Sequence, residues 1–199
     1  MSESGVDVLQ TVTLVVIVLI GVAWYLSYSA ARLDRLHAKV EGSMSALDAQ
    51  LVRRAEATLE LANSGTLDPA TALLLADAAT ASLERTTELP HEDDLLDGQH
   101  FGDREDTEGT LTEVLGLTLT PPVVAELRGR GDGLVDDALD RIAASALRAR
   151  MARRFHNAAV REVTRVRGKR VVRWFRLAGH ADLPRRVDFD DDLPEALVR

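Results

Sequence analysis

Residues Val8 to Leu26 read VLQTVTLVVIVLIGVAWYL, nineteen residues without a charge. Wound as a helix at the standard rise, the run extends about 28 Å, close to the hydrocarbon thickness of a bilayer. It predicts a single membrane crossing. Gln10, Thr11 and Thr13 stand near its start, while Trp24, Tyr25 and Tyr28 gather at its far end, where amphipathic rings favour the headgroup level. A cleaved signal peptide is the competing reading, with Ser27 and Ser29 as small residues near a cleavage position. Charge argues against it: Glu3 and Asp7 precede the run with no Lys or Arg, whereas Arg32, Arg35 and Lys39 follow it. By the positive-inside rule the expectation is a single-pass cell-membrane protein with residues 1–7 outside and the rest cytoplasmic.

Beyond the run the helical spacing does not stop. Leu33, Leu36, Val40, Leu47, Leu51 and Leu59 recur at helical intervals, with Ser43, Met44 and Ala55 between them, and no proline or turn cluster intervenes before Asn63-Ser64-Gly65. The spacing predicts a stalk continuous with the membrane helix, protruding about 50 Å. Asp68-Pro69 supplies a capping carboxylate and a first-turn proline for a second helix, ending near Leu89-Pro90. Between Glu84 and Glu113 eleven acids face two arginines, which predicts a solvated acidic loop over 88–109. Thr110 to Glu113 has capping-box spacing and predicts the start of a short helix, with breaks at Thr120-Pro121-Pro122 and from Gly129 to Gly133. From Leu134 a long helix is expected, carrying a narrow, alanine-rich stripe: Leu139, Ile142, Ala146, Ala149, Ala152, Phe155, Ala159, Val163 and Val166. Alternating strand patterns are absent. The expected fold is all-α: a transmembrane helix over 8–26 continuing into an antiparallel helical bundle over 27–168. A basic and aromatic segment over 169–180 and an acidic tail over 181–199 follow.

A chain of 199 residues has room for one membrane segment and one domain. Its 24 Lys and Arg against 32 Asp and Glu give a net charge of -8, which repels polyanions at long range. The absence of cysteine excludes disulfides, thiolate metal sites and cysteine nucleophiles. Only Lys39 and Lys169 among the basic residues are lysine, a bias that fits a GC-rich genome.

Motifs that carry chemistry fail on spacing. His91-Glu92 opens like a zinc-protease helix, but Leu95 stands where the second imidazole belongs. His100 with Asp103, Glu105 and Asp106 could attract a hard cation, although an acidic loop simply stays hydrated in most cases. Gly129, Gly131 and Gly133 lack the preceding strand of a dinucleotide loop. There is no nucleophile elbow and no phosphate-cradling loop. The expectation is a protein that is not an enzyme and carries no cofactor or metal.

Two separated segments carry a family resemblance. Asp48-Ala49-Gln50-Leu51-Val52-Arg53-Arg54 and Arg153-Arg154-Phe155-His156-Asn157-Ala158-Ala159-Val160-Arg161 resemble the two signatures of the LemA family of bacterial single-pass membrane proteins. Their order, their separation and the N-terminal apolar run agree with it. The chain differs in having Thr58 where the family commonly has proline and His156 where an aromatic hydroxyl is common, and residues 65–133 have no match. The resemblance implies a helical-bundle scaffold or adapter linked to membrane or envelope organisation, with protein partners or further copies of itself.

Two sets of interacting residues follow. Asp48, Gln50, Arg53 and Arg54 are expected to meet Arg153, Arg154 and Asn157 across two antiparallel helices, with Asp48 to Arg154 the pair of choice and Phe155 and Arg161 beside them. Antiparallel return of the last long helix places Lys169, Arg170, Arg173, Trp174, Phe175 and Arg176 at the membrane, where the cations meet anionic lipid and the aromatic face enters the interface. The competing reading has Trp174 and Phe175 capping the bundle core. The alternative function is nucleic-acid binding through 147–176, where eleven Lys or Arg meet one Glu; the acidic balance of the whole chain argues against it.

Overall fold

In the computed structural model residues 3–87, 101–175 and 183–197 are described. The stalk reading holds from end to end: α1 is one helix, Glu3–Ala62, of 60 residues and about 90 Å. Its first part is the one helix, among the described residues, long and apolar enough to cross a membrane, and none of that window is buried by the rest of the protein. The Thr11 and Thr13 hydroxyls donate to the carbonyls of Asp7 and Leu9, each at 2.8 Å. These two polar groups are thus satisfied inside the helix, as an apolar medium requires.

From Leu33 onward α1 is covered. It packs along α5, Gly133–Arg167, and the two run antiparallel. Leu33 and Leu36 meet Val163 and Val166, whereas Leu47 and Leu51 meet Ala149 and Ala152. Farther out Ala55 and Leu61 share a core with Leu139 and Ile142. Alanine on α5 facing leucine on α1 lets the two backbones approach closely, the consequence expected of a narrow stripe.

The distal core is completed by α2, Pro69–Thr87, α3, Gly102–Thr118, and α4, Pro121–Gly129. Local chemistry sets each boundary. Gly65, at φ 71°, ends the turn after α1 in the left-handed region open to glycine. The Asp68 carboxylate accepts from the amides of Ala70 and Thr71, both at 3.1 Å, and caps α2. Hydrogen bonds from the Thr71 side chain and then its backbone hold that carboxyl below its ordinary pKa. Gly131, at φ 69°, and Asp132, which accepts from the Leu134 amide at 3.0 Å, start α5. Arg130 of the same turn donates to the Thr66 carbonyl at 2.6 Å, so the Arg-Gly-Asp triplet ties two loops together. After α5 come the short α6, Arg170–Trp174, and the segment 183–197, which ends in a 3-10 turn, Glu195–Leu197.

Two expectations need correction. Residues 102–109 are helix, not loop, because α3 starts eight residues before the Thr110 capping box. Leu111, Leu115 and Leu119 are buried at helical spacing, and the same stripe runs back through Glu108 and Arg104, two charges paired in the interior. Apolar periodicity cannot see such positions. Phe155 is 62% exposed, and the stripe of α5 passes through the buried His156 instead. The acidic tail, read from the sequence by its charge alone, is docked: Val187, Phe189 and Leu197 are buried against the bundle.

Candidate interaction surfaces

A buried polar network lies where α1, α2 and α3 meet. Glu108 is its centre and is fully buried. One carboxylate oxygen accepts from Arg54 at 2.7 Å, and the other accepts from Ser82 at 2.8 Å and from Arg104 at 3.3 Å. Arg54, 2% exposed, also donates to Thr112 at 2.9 Å and to the Glu108 carbonyl at 3.1 Å, leaving its Nε without a partner. Arg104 reaches onward to Thr86 at 2.9 Å and forms an ion pair with Asp48. Two guanidiniums and one carboxylate in the interior are therefore balanced by Asp48 at its half-buried edge, which is the condition for keeping charge there.

A second network holds the tail against α5. The Asn157 side chain donates to the Val187 carbonyl at 2.8 Å and accepts from the Val187 amide at 2.9 Å. His156, 1% exposed, is shared between Ser43 of α1 and the Arg185 carbonyl, each at 3.2 Å. Glu105 accepts from the Asp188 amide at 2.7 Å. Arg153 pairs with Asp191 at 2.8 Å and Asp188 at 3.1 Å, and Arg150 reaches Asp192 at 3.1 Å. Burial works to lower the Arg153 pKa, but the hydrogen bond and charge of Asp191 and the charge of Asp188 prevail and raise it above the ordinary arginine value.

An aromatic stack joins the two networks. Phe101 and Phe189 lie with centroids 6.1 Å apart, the Arg104 guanidinium is 5.3 Å from the Phe101 centroid, and that of Arg153 is 5.4 Å from Phe189. Each ring thus has a cation over it within the range of cation–π attraction.

The expected pairing of Asp48, Gln50, Arg53 and Arg54 with Arg153, Arg154 and Asn157 does not form. The groups sit on antiparallel helices, but each polar signature turns to a third element: Asp48 and Arg54 to α3, Arg153 and Asn157 to the tail. The pair Asp48 to Arg154 is replaced by Asp48 to Arg104, and Arg154 is exposed. Arg53 and Arg161 are exposed as well, and the Gln50 carbonyl oxygen is buried without a hydrogen-bond partner. Sequence reading missed Arg104, Glu108, Asp188, Phe189 and Asp191. The signal for the first two was their spacing of four, in step with Leu111 and Leu115.

The solvent face of α5 carries Leu147, Met151 and Phe155, which are 52%, 49% and 62% exposed. Steps of four place them on one ridge. Arg148, Arg154, Arg161 and Arg165 are exposed around it. At the base of the stalk Val172 of α6 is buried with Leu33, Leu36, Val163 and Val166, so α6 lies beside the α1 turn that follows the apolar run. Trp174 and Phe175 are 86% and 50% exposed, their rings 6.2 Å apart. They do not cap the core; Val172 does. Lys169 and Arg170 are exposed, the side chain of Arg173 lies outside the described residues, and so does Arg176. No group of side chains able to hold a metal ion occurs among the described residues; His100 lies outside them. Compared with protein-family models, with curated proteins and with solved structures, the chain matches none.

Proposed function

We propose that this chain is a membrane-anchored, non-enzymatic scaffold of the LemA type, which presents its bundle to protein partners. The observation that carries the reading is the ridge Leu147, Met151 and Phe155. Large apolar side chains in steps of four on an exposed helix face, rimmed by arginines, have the make-up of an interface with an acidic-rimmed apolar partner. Glutamate at both Met151 and Phe155 should remove most crosslinks between the intact chain and other proteins in cells, read by mass spectrometry, with the melting temperature unchanged. Crosslinks to other proteins that persist in this variant would overturn the reading. Nucleic-acid binding through 147–176 is the weaker alternative, since Asp188, Asp191 and Asp192 already sit on Arg150 and Arg153.

The bundle is assigned to the cytoplasm on the charge asymmetry about Val8 to Leu26. A reporter that is active only after export, fused at Arg199, should stay silent; activity there would reverse the topology. The α6 region is assigned to the membrane surface, because its aromatics are bare and its neighbour on α1 is Leu33, roughly 10 Å past Leu26 at the helical rise. In a Trp24→Phe background reconstituted into anionic vesicles, lipid-borne quenchers at the acyl boundary should quench Trp174. Emission indifferent to those quenchers would place the ring in water.

A further inference from the structure

The segment 183–197 is bound as a peptide is bound. Residues 183–194 form no helix or strand of their own, and their contacts are those of a ligand in a groove. Asn157 reads both main-chain groups of Val187, and Glu105 takes the next amide. Phe189 enters an apolar pocket beside Leu47, Leu51 and Ala152, and Arg153 reads the acids on either side of it. The groove thus selects an extended stretch with an aromatic anchor between acids, the pattern of Val187-Asp188-Phe189-Asp190-Asp191-Asp192.

We propose that this groove is a contact between copies of the chain, in which the tail of one copy fills the groove of its neighbour. Every copy carries both the groove and the segment that fits it. Exchange replaces each contact by an identical one, so effective concentration decides between the two arrangements. The tether of the tail to its own copy sets one such concentration, on the order of millimolar for a short linker, and anchoring of neighbours in a membrane plane raises the competing one. Reach confines the exchange to adjacent copies, since the nine residues from Trp174 to Leu183 extend at most about 30 Å, about the diameter of a small domain. The proposal deepens the scaffold reading by naming a partner, and it is independent of the α5 ridge.

The test uses two full-length copies with different tags, co-expressed in membranes, both carrying Met151→Glu and Phe155→Glu so that the ridge cannot join them. The sequence has no cysteine, so one copy receives Arg150→Cys and the other Asp192→Cys, at an ion pair on the rim of the groove. A short bismaleimide should yield the mixed-tag dimer, and Phe189→Ala in the second copy should abolish it. A second experiment needs no crosslinker. One copy has a disabled groove, Asn157→Ala with Arg153→Ala, and the other a disabled tail, Phe189→Ala with Asp191→Ala. Mixed pairs should co-purify about ten-fold above same-type pairs. Mixed-tag dimers no more abundant than same-tag ones in both experiments would overturn the proposal and leave the tail in its own groove. That outcome would not touch the ridge, whose crosslinks are read separately.

Discussion

Glu108→Ala should destabilise the bundle by about 3–5 kcal/mol, because it strands the Arg54 guanidinium inside it and takes from Arg104 one of its two carboxylates. Arg54 has only 2% of its surface in water and Arg104 only 6%, so neither can recover by solvation what the carboxylate supplied. Ser82 loses its acceptor at the same stroke. Denaturant unfolding of the detergent-solubilised protein measures the change, and a loss under about 1 kcal/mol would mean that water enters the site and that the network is not closed. Adding Arg54→Ala to the first substitution should cost less than the sum of the two single changes, since the second no longer breaks a pair.

Phe189→Ala should release the tail with the rest of the protein still folded. Removing a buried phenylalanine costs about 3–5 kcal/mol; here the loss falls on the stretch 187–192, whose other holds are the buried Val187, side-chain hydrogen bonds and ion pairs, while Leu197 stays anchored in the distal core. Local opening should then rise on the order of a hundred-fold or more. Hydrogen exchange of the Val187 and Asp188 amides, which bond to Asn157 and Glu105, reads that opening directly. Exchange at amides in the middle of α5 should stay as in the parent chain. If both regions change together, the tail belongs to the cooperative core and is no separable ligand.

The helical class, the long first helix and the antiparallel return of α5 were legible because leucine, valine and alanine mark them at helical intervals. Caps were legible for the same kind of reason: Asp68-Pro69 and Gly131-Asp132 act through neighbours in sequence. What escaped was interior charge. Arg104 and Glu108 occupy core positions of α3, and a composition rich in acids reads as a loop unless the partner, Arg54 on another helix, is known. The tail escaped for a related reason, since Asn157 recognises the backbone of Val187, and backbone recognition leaves no mark in the sequence of the segment recognised. Within the polar signatures Arg53 and Arg154 are exposed, whereas Asp48, Arg54, Arg153 and Asn157 bond to third elements. Their partners were not legible, because antiparallel neighbours are the nearest guess and third elements are not.

α1 passes without a proline from the apolar run to Ala62, and a helix without such a breaker bends little. In the membrane-anchored reading this makes it a lever with its fulcrum at the bilayer surface. The arm from Leu26 to Ala62 is about 54 Å long, so a 10° change in tilt sweeps the far end through about 9 Å. Tilt answers to bilayer thickness. In that reading the position of the distal core over the membrane would follow how thick the bilayer is beneath it.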